Sequence, residues 1–277
     1  MLKTRIITAL VSLILMAAVF ALGNPHFIRL FFTLMVGLGT YEIASMILPQ
    51  IYRRFGPSHR ELAGWWIPLV TGLSCLLYAG SAYTSRYGIG VMMVGLLGAL
   101  LLGIFLVDDI DLSFGHAAGI LVCLVYGSFP WLAVWELNQL GTGYRYVFLM
   151  CAIVWSGDTG AYFAGRAFGR HKLAPKMSPN KTWEGSIGGL VASVVGGALI
   201  KMAYDPDFAS WTLVIICSLA GGAFGQLGDL AESTFKRFSG VKDSGKIFPG
   251  HGGFLDRVDG LLFAAPVIWI ILYQFGA

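Results

Sequence analysis

The chain has 277 residues, of which 56 % are hydrophobic and 12 % charged, with a formal net charge of +4 and a mean hydropathy of +0.72. A soluble protein of this length would need roughly twice that charge to cover its surface, so most of this surface must face lipid. Apolar runs of about 17–25 residues recur, each long enough to cross a hydrocarbon core of ~30 Å, which defines an all-α, polytopic integral membrane protein. A β-barrel would show shorter, alternating segments. No basic run with interleaved aromatics points to nucleic acid. Cys75, Cys123, Cys151 and Cys217 sit singly inside apolar runs and read as packing residues, without the spacing of zinc ligands or a disulfide framework.

Met1 to Leu22 opens with Lys3 and Arg5 and turns apolar at Ile6. A second span, Phe27 to Leu48, follows directly, so the first reads as a retained helix rather than a cleaved signal peptide. Further spans are expected at Gly64–Gly80, Gly88–Val107, Ala117–Leu137, Tyr144–Gly165, Gly185–Tyr204, Trp211–Gly228 and Gly260–Phe275, about nine in all. Around the third, Trp65, Trp66, Tyr78, Tyr83 and Tyr87 suit interfacial belts or the flanks of a re-entrant segment. With the amino terminus in the cytoplasm and sides alternating, 15 of the 19 Lys and Arg face inward, the positive-inside asymmetry. The two long basic loops, Arg166–Glu184 and Asp229–Asp259, then share the compartment that holds nucleoside triphosphates. Neither a repeat nor a linker divides residues 1–277, which read as a single membrane domain. Residues 1–140 are its scaffold and a candidate dimerisation surface; residues 144–277 carry the catalytic helices and loops.

Three polar segments are connectors or sites. Asp108, Asp109 and Asp111 lack the glycine turn and closing acid of a calcium loop and read as a solvated connector, as does Asp205-Pro206-Asp207. Ser233 to Asp259 is different. Within about thirty residues stand Lys236, Arg237, Lys242, Lys246 and Arg257 with Asp229, Glu232, Asp243, Asp256 and Asp259. Asp256 and Asp259 are three apart and share a face of the first turn of the last helix, where acids also suit the dipole. Asp229 ends the preceding span, with Glu232 one turn on. Carboxylates at the ends of neighbouring helices can converge on a divalent cation, and with no His or Cys cluster nearby magnesium fits better than zinc. Glycines at 245, 250, 252 and 253 let backbone N–H groups approach phosphate, and lysines add point charges, although no Walker A pattern is present. His251 orients a phosphate, carries a proton, or bonds only within the turn.

In the earlier loop, Asp158 interrupts an apolar run, where a charge is costly and should face a wet interior or a partner. Lys176, Ser178, Asn180, Lys181 and Thr182, shaped by Pro175 and Pro179, form a donor-rich cradle for a nucleotide or phosphate; the plainer reading is lysines drawn to anionic lipid heads. Glu42 and Glu136 each interrupt a helix, and line a polar cavity or pair with a neighbour. Trp155, Tyr162 and Trp183 either stack on a base or pack at the interface.

The run Ser233-x-Phe235-Lys236-Arg237-x4-Lys242-Asp243-x-Gly245-x2-Phe248-Pro249-x-His251-Gly252-Gly253-x2-Asp256-Arg257-x-Asp259 resembles the signature of phosphatidate cytidylyltransferases, also called CDP-diacylglycerol synthases. Gly228-Asp229-Leu230-x-Glu232-Ser233 and the Asp158–Gly185 segment are similar to the same family. The resemblance implies that CTP and phosphatidic acid give CDP-diacylglycerol and pyrophosphate, with Mg²⁺ required and a second, monovalent cation beside it. It also implies a homodimer in the bacterial inner membrane with its cavity open to the cytoplasm and sideways to lipid. On that reading Asp229 and Asp256, with Asp259, hold the metal, while Lys236, Arg237 and Arg257 neutralise phosphates. Asp158, Lys176, Ser178, Lys181, Thr182, Lys242, Asp243 and His251 bind substrate. A CTP-dependent lipid or polyprenol kinase needs a similar pocket, and an ion-coupled transporter would use Asp158 and Asp229 instead.

Overall fold

The computed structural model describes residues 16–21, 23–56, 62–84, 87–107, 109–141, 143–204, 208–247 and 252–275. After helical residues 16–21 come α1 (Pro25–Phe55), α2 (Trp66–Tyr83), α3 (Gly88–Phe105), α4 (Ile110–Gln139) and α5 (Tyr144–Phe168). A hairpin of β1 (Lys172–Ala174) and β2 (Ser178–Thr182) leads to α6 (Trp183–Ala203), α7 (Trp211–Ser239) and α8 (Leu255–Phe275). The protein is an all-α polytopic membrane protein: 7 of these helices are long and apolar enough to cross a membrane, and Gly90–Phe105 within α3 is a shorter apolar stretch. Of the expected span Met1–Leu22, residues 1–15 and 22 lie outside the described residues.

The helices overrun the apolar runs that announce them. α7 continues to Ser239, so Ser233–Ser239, expected within the polar loop, forms its last two turns. Nothing between Asp229 and Ser239 breaks a helix, and Lys236 and Arg237 in the last turn suit the negative end of the dipole. Gly240 (φ 69) then stops it, with Gly240 N–H donating to the Arg237 carbonyl and Val241 N–H to that of Lys236. The second departure is the hairpin itself, whose two short antiparallel strands occupy the loop between α5 and α6. Pro179 lies within β2, which its two-stranded setting tolerates.

The chain forms two compact units, one of residues 1–132 and 235–257, the other of residues 133–234 and 258–277. In the first, Val36, Ile43 and Leu48 of α1 are buried with Tyr78, Met92, Leu112 and Leu124. One polar contact in this core joins α1 to α2: Thr40 Oγ1 donates to Ser74 Oγ at 2.8 Å. Trp66, a candidate belt residue, is instead buried with its ring 4.2 Å from that of His116. Trp131 stacks on Phe254 at 5.9 Å, tying α4 to the residue before α8.

In the second unit, α6 has its large side chains outside and its small ones inside. Ile187, Val191, Val195, Leu199 and Met202 are exposed at helical spacing, the face offered to lipid. Gly185, Gly189, Ser193, Gly196 and Gly197 are buried on the other side. The backbones of α5 and α6 therefore approach closely, as small residues permit between membrane helices. A Cβ at Gly188 would fall on that of Ala164, and one at Gly160 would lie 3.0 Å from the Gly188 carbonyl oxygen. Gly188→Val should destabilise the protein by about 1–3 kcal/mol through overpacking. The thermal unfolding midpoint in detergent checks this; exposed Ile187→Val, one residue away, should leave it unchanged.

Candidate active site

In the second unit the hairpin delivers Lys181 to α7. Its Nζ lies 2.7 Å from Asp229 Oδ2 and donates to the Gln226 carbonyl at 3.4 Å. Gln226 is itself fixed by Ser186, whose hydroxyl donates to Gln226 Oε1 and whose carbonyl accepts from Nε2 at 3.0 Å. The hairpin's geometry is set at α6. Thr182 caps that helix, its buried hydroxyl accepting from Gly185 N–H at 3.1 Å. Glu184 then accepts the Arg170 and His171 N–H groups at 3.1 and 3.2 Å and bonds His171 Nδ1 at 2.6 Å, closing the loop's two ends onto one carboxylate.

The crossing of α7 and α8 lies in this unit. A Cβ on Gly228 would run into the Asp259 carbonyl oxygen, and one on Gly260 would lie 3.3 Å from that of Gly225. Asp229 of α7 and Asp259 of α8 therefore follow and precede the closest approach of the two helices. Glu232, one turn beyond Asp229, is fully buried.

In the first unit, Lys236 Nζ meets Asp256 Oδ1 at 2.7 Å, and only 9 % of the Asp256 side chain is exposed. Oδ2 of the same carboxylate accepts from Ser244 N–H at 2.9 Å, Ser244 Oγ at 3.1 Å and Gly253 N–H at 2.8 Å. The last contact reaches back three residues to the Gly253 N–H, just ahead of α8. Glu42 supplies the rest: it accepts Phe254 N–H at 2.9 Å, Leu255 N–H at 2.9 Å and Ser244 Oγ at 2.9 Å. The glycines of this loop make room for these side chains. Gly252 has φ +79, and a Cβ there would lie 2.5 Å from Asp256 Oδ2; a Cβ on Gly253 would lie 2.6 Å from Glu42 Oε2. Beside this network, Ser45, Gln50, Ser239, Lys242, Asp243 and Lys246 line a cavity of about 500 Å³. Arg54 braces the end of α7, donating to the Phe238 carbonyl at 2.9 Å and lying over the Phe238 ring at 4.1 Å.

The expected site residues thus fall into two groups. Lys181, Thr182 and Asp229 are joined through the hairpin and α7, with Asp259 at the helix crossing; Lys236, Asp256, Lys242 and Asp243 gather around the glycine-rich loop. Asp158, exposed on α5, and Lys176, exposed in the hairpin turn, stand with the first group's elements, where Ser178 opens β2. Arg237 and Arg257 are exposed at the end of α7 and the start of α8. His251 lies outside the described residues. Gln226 and Ser244, not among the expected residues, touch them, and Glu42 touches Ser244; a lone acid in an apolar run was the one available signal, for Glu42.

The acids suit a hard cation. Among the described residues Asp229 Oδ1 takes one long 3.4 Å bond, from Ser233, and its side chain is 38 % exposed. Asp256 Oδ1, bonded to Lys236, keeps a second lone pair. Among the described residues no three His, Cys, Asp or Glu side chains stand together as a metal cage. Mg²⁺ commonly takes one or two carboxylates and completes its shell with water and phosphate oxygens.

These features define a polytopic membrane protein with two Lys–Asp pairs in its polar segments. A profile of the cytidylyltransferase family matches residues 3–275, and the chain belongs to that family. The phosphatidate cytidylyltransferase of Staphylococcus saprophyticus is 34% identical over 272 residues, covering 98% of this chain and 99% of the relative. That of Brucella suis is 38% identical over 278 residues, covering 100% of this chain and 93% of the relative.

Glu184→Gln removes an acceptor on which three donors converge. The hairpin should open more often, and trypsin should cut at Lys172 and Lys176 on the order of tenfold faster. Limited proteolysis in detergent micelles measures the rate.

Proposed function

We propose that this chain transfers the cytidylyl group of CTP to phosphatidic acid, giving CDP-diacylglycerol and pyrophosphate for phospholipid biosynthesis. The observation that carries this reading is the likeness, along nearly the full length, to relatives that bear the name phosphatidate cytidylyltransferase. A phosphate oxygen of the lipid attacks the α-phosphorus of CTP, the bond to the β-phosphate breaks, and pyrophosphate leaves with the electron pair. Bringing these anions together is the main obstacle, so the catalyst needs positive charge held at fixed geometry.

Lys181 and Lys236 supply it. Each ammonium is held at 2.7 Å by an aspartate, so its place is set before substrate arrives. Arg237 and Arg257 add charge for the phosphates of the two substrates. Lys176, Ser178, Lys181, Thr182 and Lys242 hold the triphosphate or the base, with Asp158, Asp243 and His251 beside them. Asp229 and Asp256, with Asp259, are the proposed ligands of Mg²⁺, which when bound polarises phosphoryl oxygens and offsets the charge of the leaving pyrophosphate. Phosphatidate is already ionised at neutral pH, so no dedicated general base is needed. The bacterial inner membrane, with the phosphate-binding side toward the cytoplasm, is part of the same proposal and rests on the Lys and Arg asymmetry.

Purified protein given phosphatidate, Mg²⁺ and CTP labelled at the α-phosphorus should place label in the lipid. Label reaching the lipid only from the γ-position would make the enzyme a kinase and end this reading. Asp256→Asn and Asp229→Asn should each lower kcat by at least about a hundredfold, with both proteins still inserting and keeping their helicity.

A further inference from the structure

Glu42 sits in the middle of α1, 3 % exposed, and no step of the proposed chemistry uses it. Its partners lie some two hundred residues away in sequence: Phe254 N–H, Leu255 N–H and Ser244 Oγ. Those contacts pin the two short segments, Ser244-Gly245 and Gly253-Phe254-Leu255, that also supply three donors to Asp256 Oδ2. The Ser244 hydroxyl lies between the two carboxylates, 2.9 Å from Glu42 Oε2 and 3.1 Å from Asp256 Oδ2. It has one proton, so it serves one of them at a time, and its oxygen faces the Asp256 N–H at 3.3 Å. With Oδ2 turned into these donors, Oδ1 is the oxygen presented to Lys236 at 2.7 Å.

The packing is specific to this arrangement. A Cβ at Gly245 would lie 2.8 Å from the Glu42 carboxyl carbon. A local residue ordinarily caps the start of a helix; here the acceptor comes from another membrane helix and reaches the helix carrying Asp256.

We propose that Glu42 is a positioning residue for the reaction: it ties the glycine-rich loop to the start of α8 so that Asp256 is held with Oδ2 inside and Oδ1 toward Lys236 and the substrate phosphates. The inference rests on the reading that Asp256 works at the reaction centre. Glu42→Gln keeps the side chain's size but turns an NH₂ group toward donors that need an acceptor. In the purified full-length protein, kcat should fall on the order of a hundredfold, as small misplacements of reacting groups do, while KM for CTP changes less than about threefold. Amide deuterium exchange across residues 252–258 should quicken at least about tenfold. Glu42→Asp, which keeps both acceptor oxygens, should recover part of the lost kcat.

Asp256→Asn, assayed alongside, separates the two claims. An inactive Asp256→Asn with wild-type kcat and exchange in Glu42→Gln overturns this inference alone. Normal turnover in Asp256→Asn overturns both. If Glu42→Gln fails to fold, Ser244→Ala, which removes only the shared hydroxyl, carries the test: kcat lower by about fivefold or more supports the inference, and unchanged kcat overturns it.

Discussion

A polar group cut off from water is costly without a partner, and the start of α8 shows how this chain meets that cost. A helix leaves its first four N–H groups without an internal acceptor. At Phe254, Leu255, Asp256 and Arg257 those groups are met by Glu42, Glu42, Ser244 and the Phe254 carbonyl in turn, and the Gly253 N–H just ahead of them by Asp256. Satisfying them fixes the loop, fixing the loop fixes Asp256, and Asp256 in turn holds Lys236. The glycines at 245, 252 and 253 follow from the same demand, since side chains there would occupy the space that the two carboxylates need.

Lysines meet that cost in another way. An ammonium in an apolar setting is costly unless paired, and Lys181 and Lys236 each face an aspartate. The pairing keeps the charge in place at modest expense, and an ammonium, with three donors, can hold more than one acceptor at once. Substrate phosphates can join such a pair without first displacing it.

Much of this was legible in the sequence. Hydropathy located the membrane helices, and the density of acids and bases after Asp229 located one of the two charged clusters. What hydropathy missed lies in the backbone. Ser233 to Ser239 is polar yet helical, because nothing there breaks a helix before Gly240. The hairpin depends on Glu184 gathering N–H groups of Arg170 and His171, a convergence that no periodicity records. Glu42 was visible as a lone acid in an apolar run, but its partners at Ser244 and Phe254 are brought to it only by folding. The small-residue face of α6 was likewise hidden within a run that reads as uniformly apolar, although its glycines and Ser193 face inward and its large residues outward.

α7 has 29 residues, about 43 Å at 1.5 Å per residue, against a hydrocarbon thickness of ~30 Å. Some two turns of it must therefore stand clear of the acyl chains or be taken up by tilt. The turns with Lys236 and Arg237 are the ones suited to emerge, since charged side chains favour the head-group region over hydrocarbon. A phospholipid can then offer its phosphate without leaving the leaflet, and the only molecule that has to travel is the water-soluble one.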